Sequence, residues 1–389
     1  MRHRHLRRPG GQSRLSHLLG EPLSNGPVGV ALVGAGVISG QYLRNLTSFP
    51  DVRVLAVADL DADRAATVAR EHGVPVSGDL STALALPEVE IVVNLTVPSA
   101  HAAVALESLR AGKHVYGEKP FAMDMDEGAK VVAEAANRGL RLGCAPDTFL
   151  GAGLQSALHA LRSGLIGTPV AVAAATQSLG PESWHPNPEF FYQPGGGPLF
   201  DLGPYYLTAL VSLLGPVERV AAGTRKARGQ RVVGSGPKEG AIFPVDVPTH
   251  VNALLDFPGA ATATATFSFD SPVNRRMIEV IGTEGALSLP DPNTFEGPLL
   301  ARGLRDTDWR ELPVSGTTVS RGIGVLDLAR SLRAGTPHRA SGELAYHVLE
   351  LMSAIAQSGE ASEFRPVTST ATAPEPLPAD WDPHAATLS

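Results

Sequence analysis

The stretch VGVALVGAGVISG, Val28 to Gly40, decides the fold. Val28 to Val33 is an unbroken apolar run rich in valine, with none of the polar alternation of a half-exposed strand. Such a run suits a strand buried on both faces, as in a parallel sheet. It leads directly into Gly34-Ala35-Gly36 and then into a segment that reads as a helix. The first two glycines fit G-x-G-x-x-G; Ser39 occupies the third place, and Gly40 follows one position late. Gly34 permits a tight turn, and Gly36 lets the backbone approach a pyrophosphate. Val37 and Ile38 open a helix whose free N–H groups and positive dipole end would face the phosphates. The chain returns as Val52 to Val57 and ends in Asp59, 25 residues past Gly34, close to the spacing at which an acidic side chain binds the adenosine ribose hydroxyls. A carboxylate there repels a 2′-phosphate, which favours NAD over NADP. The other reading of Asp59 is a helix cap, for which Asp61 and Asp63 lie nearer.

Outward from this unit the same alternation continues. Ile91 to Leu95 and His114 to Tyr116 read as further strands, and Asp61 to His72, Ala100 to Ala111 and Met125 to Arg138 as helices between them. The second half differs. Val170–Gln177, Val217–Thr224, Val251–Phe257, Ala261–Phe269, Met277–Gly282 and Ala286–Leu289 read as strands in close succession, and ATATATFSF alternates with period two. Helices over Gly151–Ser163, Gly203–Leu214, Arg321–Ala334 and Ser341–Ser358 flank that block. The expected fold is an α/β Rossmann domain with a parallel sheet, followed by an α+β domain with a large, mainly antiparallel sheet. The expected division is a basic, disordered extension over residues 1–26, a dinucleotide-binding domain over 27–146, an α+β domain over 147–365 and a disordered, Pro-rich tail over 366–389.

Composition limits the function. The chain has 389 residues, with 32 Lys and Arg against 39 Asp and Glu, a net charge of −7. Net acidity argues against nucleic acid or an anionic membrane as the main partner. No apolar run is long enough to span a bilayer. The extension holds five arginines and three histidines, but PGGQS, not an apolar segment, follows Arg7-Arg8, so it does not read as an export signal. The single cysteine, Cys144, excludes an intramolecular disulfide and fits a reducing, cytoplasmic setting. His, Asp and Glu occur at no recognisable metal-ligand spacing.

Two further motifs fall at carboxyl ends of parallel strands, where such folds bind ligands. TVPSAH (Thr96 to His101) follows the third strand, and GEKP (Gly117 to Pro120) ends AGKHVYGEKP after the fourth. With the glycine turn, the ADLD end of the second strand and GGGPLFDLGPYYL (Gly195 to Leu207), they resemble the glucose-fructose oxidoreductase / myo-inositol dehydrogenase (Gfo/Idh/MocA) family. The order and spacing match from about residue 28 to 360. The resemblance implies NAD(P) between the two domains and a sugar or cyclitol as substrate. It implies that Lys119 lies beside the nicotinamide and the reacting hydroxyl, where an ammonium can stabilise an alkoxide while hydride leaves its carbon. Partial burial and the nicotinamide cation are expected to lower the Lys119 pKa. Glu118 is expected at the nicotinamide ribose, and Thr96 and Pro98 along the cofactor. His101 either contacts the cofactor or begins a helix.

GGGPLFDLGPYYL resembles the family string G-G-x-x-x-D-x-G-x-H, with Asp201 at the aspartate and Tyr205 in place of the histidine. In the family that histidine is the usual proton acceptor, so Lys119, Asp201 and Tyr205 are the candidate catalytic group here, with Tyr205 relaying the proton. Tyr205 and Tyr206 have a second reading as packing at a helix start. Asp147, Trp184 and His185 are candidate substrate-binding residues: Asp147 at the domain junction, Trp184 stacking on a sugar ring, His185 bonding it or serving as the base. Each also reads as structural, Asp147 with Thr148 as helix caps and the other two as ordinary loop packing. The expected activity is hydride transfer between NAD and a secondary alcohol or ketone of a sugar, glycoside or cyclitol such as inositol. Redox recycling on bound NAD, as in a lyase, epimerase or glycosidase, and a non-catalytic NAD- and sugar-binding regulator are the alternatives. The second-domain sheet, if its open face is apolar, offers a surface for a homo-oligomer.

Overall fold

A computed structural model of the protein describes residues 26–259 and 261–388. All but the last residue of the basic extension lies outside the described residues.

The first half comprises β1 (Val28–Val33), α1 (Ser39–Leu46), β2 (Val52–Ala58), α2 (Ala62–Glu71), β3 (Val76–Gly78), α3 (Leu80–Leu84), β4 (Ile91–Asn94), α4 (His101–Arg110), β5 (His114–Gly117), α5 (Met125–Arg138) and β6 (Leu142–Cys144). Six parallel strands lie in the order β3-β2-β1-β4-β5-β6. Every residue of β1 and β4 is buried, as the continuous apolar runs require. Sequence order reverses between β1 and β4, which opens a crevice at their carboxyl ends. The helices carry local signals. Asp61 caps α2 by accepting from the Arg64 amide, and Asp124 caps α5 at the Glu127 amide. Gly139, at φ +65°, ends α5 in the left-handed conformation.

The second half contains α6 (Ala152–Arg162), β7 (Pro169–Gln177), α7 (Gly197–Leu214), β8 (Arg219–Arg225), β9 (Gln230–Val232), β10 (Ile242–Pro244), β11 (His250–Asp256), β12 (Thr262–Ser268), β13 (Arg275–Gly282), β14 (Gly285–Leu289), β15 (Leu299–Gly303), β16 (Arg310–Leu312), α8 (Ile323–Ala334), α9 (Gly342–Ala361) and β17 (Arg365–Pro366). Nine of these strands form one sheet, β16-β15-β14-β13-β7-β12-β11-β8-β17, antiparallel except for the β7–β12 pair. On β12, Ala263 and Ala265 are buried while Thr262 and Thr264 are exposed, the period-two pattern of a sheet covered on one side. The open face is mixed rather than apolar: Thr264 lies opposite Leu254 and Ala173, and Ala173 opposite Glu279.

Two expectations change. Helix α7 begins at Gly197, six residues before the expected start at Gly203, so Pro204 lies inside it. A proline removes one helical hydrogen bond and reads as a start signal. The flanking apolar residues bury enough surface to carry the helix past it. The Pro-rich segment after residue 365 is not a disordered tail but an extended strap over the body. Thr368 and Ser369 donate their amides to Glu350, the Leu377 amide donates to Gln155, and Arg339 donates to the Glu375 and Pro376 carbonyls. Trp381 lies under the Arg330 guanidinium, and the Thr387 and Leu388 amides donate to Asp51. Prolines and small residues form no ladder, but here side chains of the folded body satisfy the backbone instead.

Helices α8 and α9 return to the first half. The Cys144 amide donates to the Ala340 carbonyl beside β6, and Arg333 of α8 forks onto Glu90. Asp51, fully buried in the loop before β2, accepts from Arg330 and from the strap. Burial raises the Asp51 pKa, but the Thr387, Leu388 and Arg330 donors outweigh that and hold it below the ordinary carboxylate value. Its stabilising contribution is therefore present above the unfolded-state value near 4 and is lost as pH falls through the lower native value. Asp51→Ala is expected to destabilise the protein by about 3 kcal/mol in thermal or urea unfolding, because it leaves Arg330 buried without its anion. The difference from wild type should shrink below pH 4.

Candidate active site

The turn after β1 is built around Gly34. It has φ +100°, and a Cβ there would lie 2.6 Å from the Leu95 backbone at the end of β4, so only glycine fits. Asp59, ending β2, accepts from the Ala35 amide at 2.7 Å and from the Asp61 amide at 2.9 Å. It thereby ties the turn to the second strand, while Asp61 does the helix capping. Arg64 lies 3.9 Å from Asp59 and 3.0 Å from Asp61. At Gly36 a Cβ would meet nothing within 4 Å. Beyond the turn, the Gly36, Val37 and Ile38 amides have no acceptor among the described residues, and Val37 is fully exposed. Three free amides at the start of α1, beside open space, are the cradle a pyrophosphate needs. The groove they border is about 760 Å³ and is lined by Gly34, Gly36, Val37, Ile38, Asp59 and Thr96, among others.

A second cavity of about 270 Å³ shares Ile38, Leu95 and Thr96 with that groove and continues it toward the second half of the chain. Pro98, His101, Glu118, Lys119, Tyr205 and Arg321 complete its lining. Four parts of the sequence thus converge: the turn after β1, the segment after β4, the end of β5, and the second half's α7 with the approach to α8.

Lys119 donates to the Asp201 carbonyl oxygen at 2.9 Å and to Asp201 Oδ1 at 3.1 Å. Its ammonium lies 5.2 Å from the centre of the Tyr205 ring. Asp201 and Tyr205 are four residues apart on α7 and so share one helix face. The expected depression of the Lys119 pKa is corrected. Burial pulls it down, but the Tyr205 oxygen and the Asp201 carboxylate raise it more, and Lys119 is held above its ordinary value. The pair's contribution to stability is therefore complete below the unfolded lysine value near 10 and is lost only as pH rises through the higher native one. Glu118 accepts from the Tyr42 hydroxyl at 2.7 Å and from the Lys119 amide at 2.9 Å. Burial, with the charge of Glu118, pushes the Tyr42 phenol up, which keeps it a donor. His101 begins α4 and is buried, with Nδ1 2.7 Å from the Pro120 carbonyl and Nε2 2.9 Å from the Thr96 carbonyl. It joins the two strand-end segments.

Three expectations about the site are corrected. Asp147 does not face a pocket: it is fully buried, and its Oδ2 accepts the Gly322 and Gly324 amides at 2.9 and 3.1 Å, anchoring the start of α8. Burial raises its carboxyl pKa, and Arg321 with those amides offsets only part of that. Trp184 and His185 are not in the lining of the Lys119 cavity. Trp184 is 66% exposed, and His185 packs edge-on against Trp184, Phe190 and Phe191. Tyr205 and Tyr206 part company, since Tyr206 is core, edge-on to Phe267. Arg321 was missed. It lies 116 residues from Tyr205, whose hydroxyl accepts from Arg321 Nη2 at 3.1 Å. No local motif marks it, and only the packing of α8 against α1 brings it in.

Comparison with known proteins follows the same outline. The family model for an oxidoreductase family with an NAD-binding Rossmann fold matches residues 28–145, and that for the GFO/IDH/MocA C-terminal domain matches residues 154–288. Trans-1,2-dihydrobenzene-1,2-diol dehydrogenase of Oryctolagus cuniculus is 32% identical over 67% of this chain and 75% of its own. 1,5-Anhydro-D-fructose reductase of Ensifer adhaerens is 27% identical over 66% of this chain and 74% of its own. Among solved structures, an NAD-binding oxidoreductase from Klebsiella pneumoniae superposes with TM-score 0.77 at 22% identity, covering 88% of this chain and 99% of that one. Levoglucosan dehydrogenase in complex with NADH and levoglucosan superposes with TM-score 0.75 at 20% identity, over 88% and 99%. At these identities the structural likeness speaks for the fold.

Two substitutions test the groove. Gly36→Val is expected to weaken NAD binding at least about tenfold by calorimetry, with thermal stability changed by no more than about 0.5 kcal/mol, since its side chain meets ligand space and not protein. Wild type is expected to bind NAD more tightly than NADP. Asp59→Ala should narrow that difference by removing the carboxylate and freeing Arg64 for a 2′-phosphate.

Proposed function

The chain belongs to the GFO/IDH/MocA oxidoreductase family and binds NAD in its Rossmann domain, and from this we propose that it transfers hydride between nicotinamide and a secondary alcohol or ketone of a small polyhydroxylated molecule. Sugars, glycosides and cyclitols are the substrate class we favour. The observation that carries the reading is the Lys119–Asp201 pair in a cavity continuous with the dinucleotide groove. Relatives named for a vicinal diol and for a sugar ketone support it.

NAD, when bound, supplies the hydride acceptor for oxidation and the donor for reduction. Gly36, Val37 and Ile38 hold its pyrophosphate with their free amides, Asp59 takes a ribose hydroxyl, and Glu118 the nicotinamide ribose. The remaining work falls to side chains of this chain. Lys119 has three N–H bonds. Two are used on Asp201, and the third is left for the substrate oxygen. Asp201 fixes the direction of that donor, and the positive charge stabilises oxyanion character as the C–H bond opens. In oxidation Tyr205 Oη relays the proton: it accepts the substrate hydroxyl proton as its own proton passes on to water, and in reduction the relay runs in reverse. The Lys119 ammonium and the Arg321 guanidinium lie 5.2 and 5.7 Å from the centre of its ring. Tyr205 thus takes the place of the family histidine.

We further propose a homo-oligomer formed through the open face of the nine-stranded sheet, in a cytoplasmic setting; since that face is mixed rather than apolar, the contact would join polar and apolar side chains together. Sedimentation showing only monomer at working concentration would overturn the oligomer.

Screening NAD reduction against monosaccharides, glycosides, cyclitols and vicinal diols tests the activity. With the best substrate, Lys119→Met is expected to lower kcat by about 10³-fold while retaining NAD binding. Tyr205→Phe is expected to lower it by about 10²-fold or more and to remove an ionisation from the pH profile of kcat. A Lys119→Met enzyme with wild-type turnover would sink the reading.

A further inference from the structure

Arg321 differs from most of the buried cations. Arg231 is held by Glu182 and Asp270, Arg330 by Asp51, Arg333 by Glu90, Arg339 by Asp327 and Lys119 by Asp201, while Lys113 meets no carboxylate among the described residues but donates to the Leu86 and Val89 carbonyls. No carboxylate among the described residues reaches ion-pair distance of Arg321. Its Nη2 donates to the Tyr205 hydroxyl, and its Nη1 is buried with no acceptor. A largely desolvated guanidinium with an unused donor is unfavourable unless an anion meets it.

The nearest carboxylates reach it as charges through space and not as ion pairs. Asp147 gives Oδ2 to the Gly322 and Gly324 amides and keeps Oδ1 buried without a donor, and Glu118 gives its oxygens to Tyr42 and to the Lys119 amide. Nor is Arg321 free to swing away to solvent as a unit. Asn45 donates to its carbonyl oxygen at 2.7 Å, Gln41 donates to Ser320 at 2.9 Å, and Asp147 holds the amide that follows it. Asn45, Gln41 and Asp147 thus hold the segment that carries this guanidinium, and Arg321 lines the cavity that holds Lys119.

We infer that Arg321 is a substrate-binding residue for a carboxylate, and that the substrate is a hydroxy acid of the sugar-acid kind, with its anionic group within reach of the alcohol that reacts. The planar fork of a guanidinium matches a carboxylate. With Lys119 on the reacting oxygen and Arg321 on the carboxylate, the substrate is fixed at two points in a cavity of about 270 Å³. The inference rests on the redox reading for the place of the reacting oxygen. The anion itself is tested by binding, without turnover.

The experiment uses the full chain loaded with NADH and measures, by calorimetry, binding of D-glucuronate against D-glucose, D-gluconate against sorbitol, and glycolate against ethylene glycol. At least one carboxylate is expected to bind about tenfold or more tightly than its neutral counterpart. Arg321→Met should bring that ratio close to one, and Arg321→Lys, which keeps the charge without the fork, should leave an intermediate ratio. Absence of any carboxylate preference in wild type overturns the inference, as does a preference unchanged in both variants. If Arg321→Met instead weakens NADH binding about tenfold and leaves the carboxylate ratio intact, the anion is the cofactor pyrophosphate, and the substrate assignment is wrong. Should Arg321→Met fail to fold, as judged by circular dichroism, the Arg321→Lys ratio decides. A preserved carboxylate preference alongside an unimpaired Lys119→Met enzyme would refute the redox reading and leave the anion site standing.

Discussion

The site depends on one ion pair between the two halves of the chain. Lys119 comes from the end of a parallel strand, and Asp201 from the second turn of a helix in the other domain. Neither half alone can assemble it. The ammonium is largely withdrawn from water, so its charge is retained only because the carboxylate and the helix carbonyl face it. That arrangement keeps the lysine protonated and aimed. A lysine with a lowered pKa would serve as a proton carrier. This one is held as a fixed positive charge, and in the proposed reaction proton transfer falls to Tyr205.

Buried carboxylates set the rest of the geometry, and they act mainly as anchors. Asp147 holds the first amides of α8 from outside the helix. Asp51 gathers Arg330 and the end of the strap, and Glu90 takes the fork of Arg333. Each joins the nucleotide-binding half to segments far along the chain. Together they make the junction rigid where the cavity opens, and a cavity lined from both halves keeps its shape only if the halves cannot slide.

Tyr205 marks the departure from the family string. Two cations lie near its ring, Lys119 at 5.2 Å and Arg321 at 5.7 Å from the ring centre. Arg321 also donates to the Tyr205 hydroxyl, although the two residues are far apart in sequence.

Much of this could be read along the chain. The apolar strand into Gly34 and Gly36, the helical segments between strands, and the period-two run on β12 each follow from neighbours a few residues away. Backbone pairing and burial act locally in the same way wherever such patterns occur. The GEKP and GGGPLFDLG strings put Lys119 and Asp201 in one site through the family resemblance. Tertiary packing decided the rest. Asp147 was legible as a substrate-binding or capping carboxylate but not as the anchor of a helix that begins 176 residues later. Prolines made the final segment look unstructured, yet its backbone donors are met by side chains of the body, which no local pattern shows. Arg321 carries no motif, and its place at the site comes from α8 lying on α1. A sequence determines which segments become strands and helices, since those interactions are short in range. Which distant charges then meet depends on how the layers stack, and only the folded chain sets that.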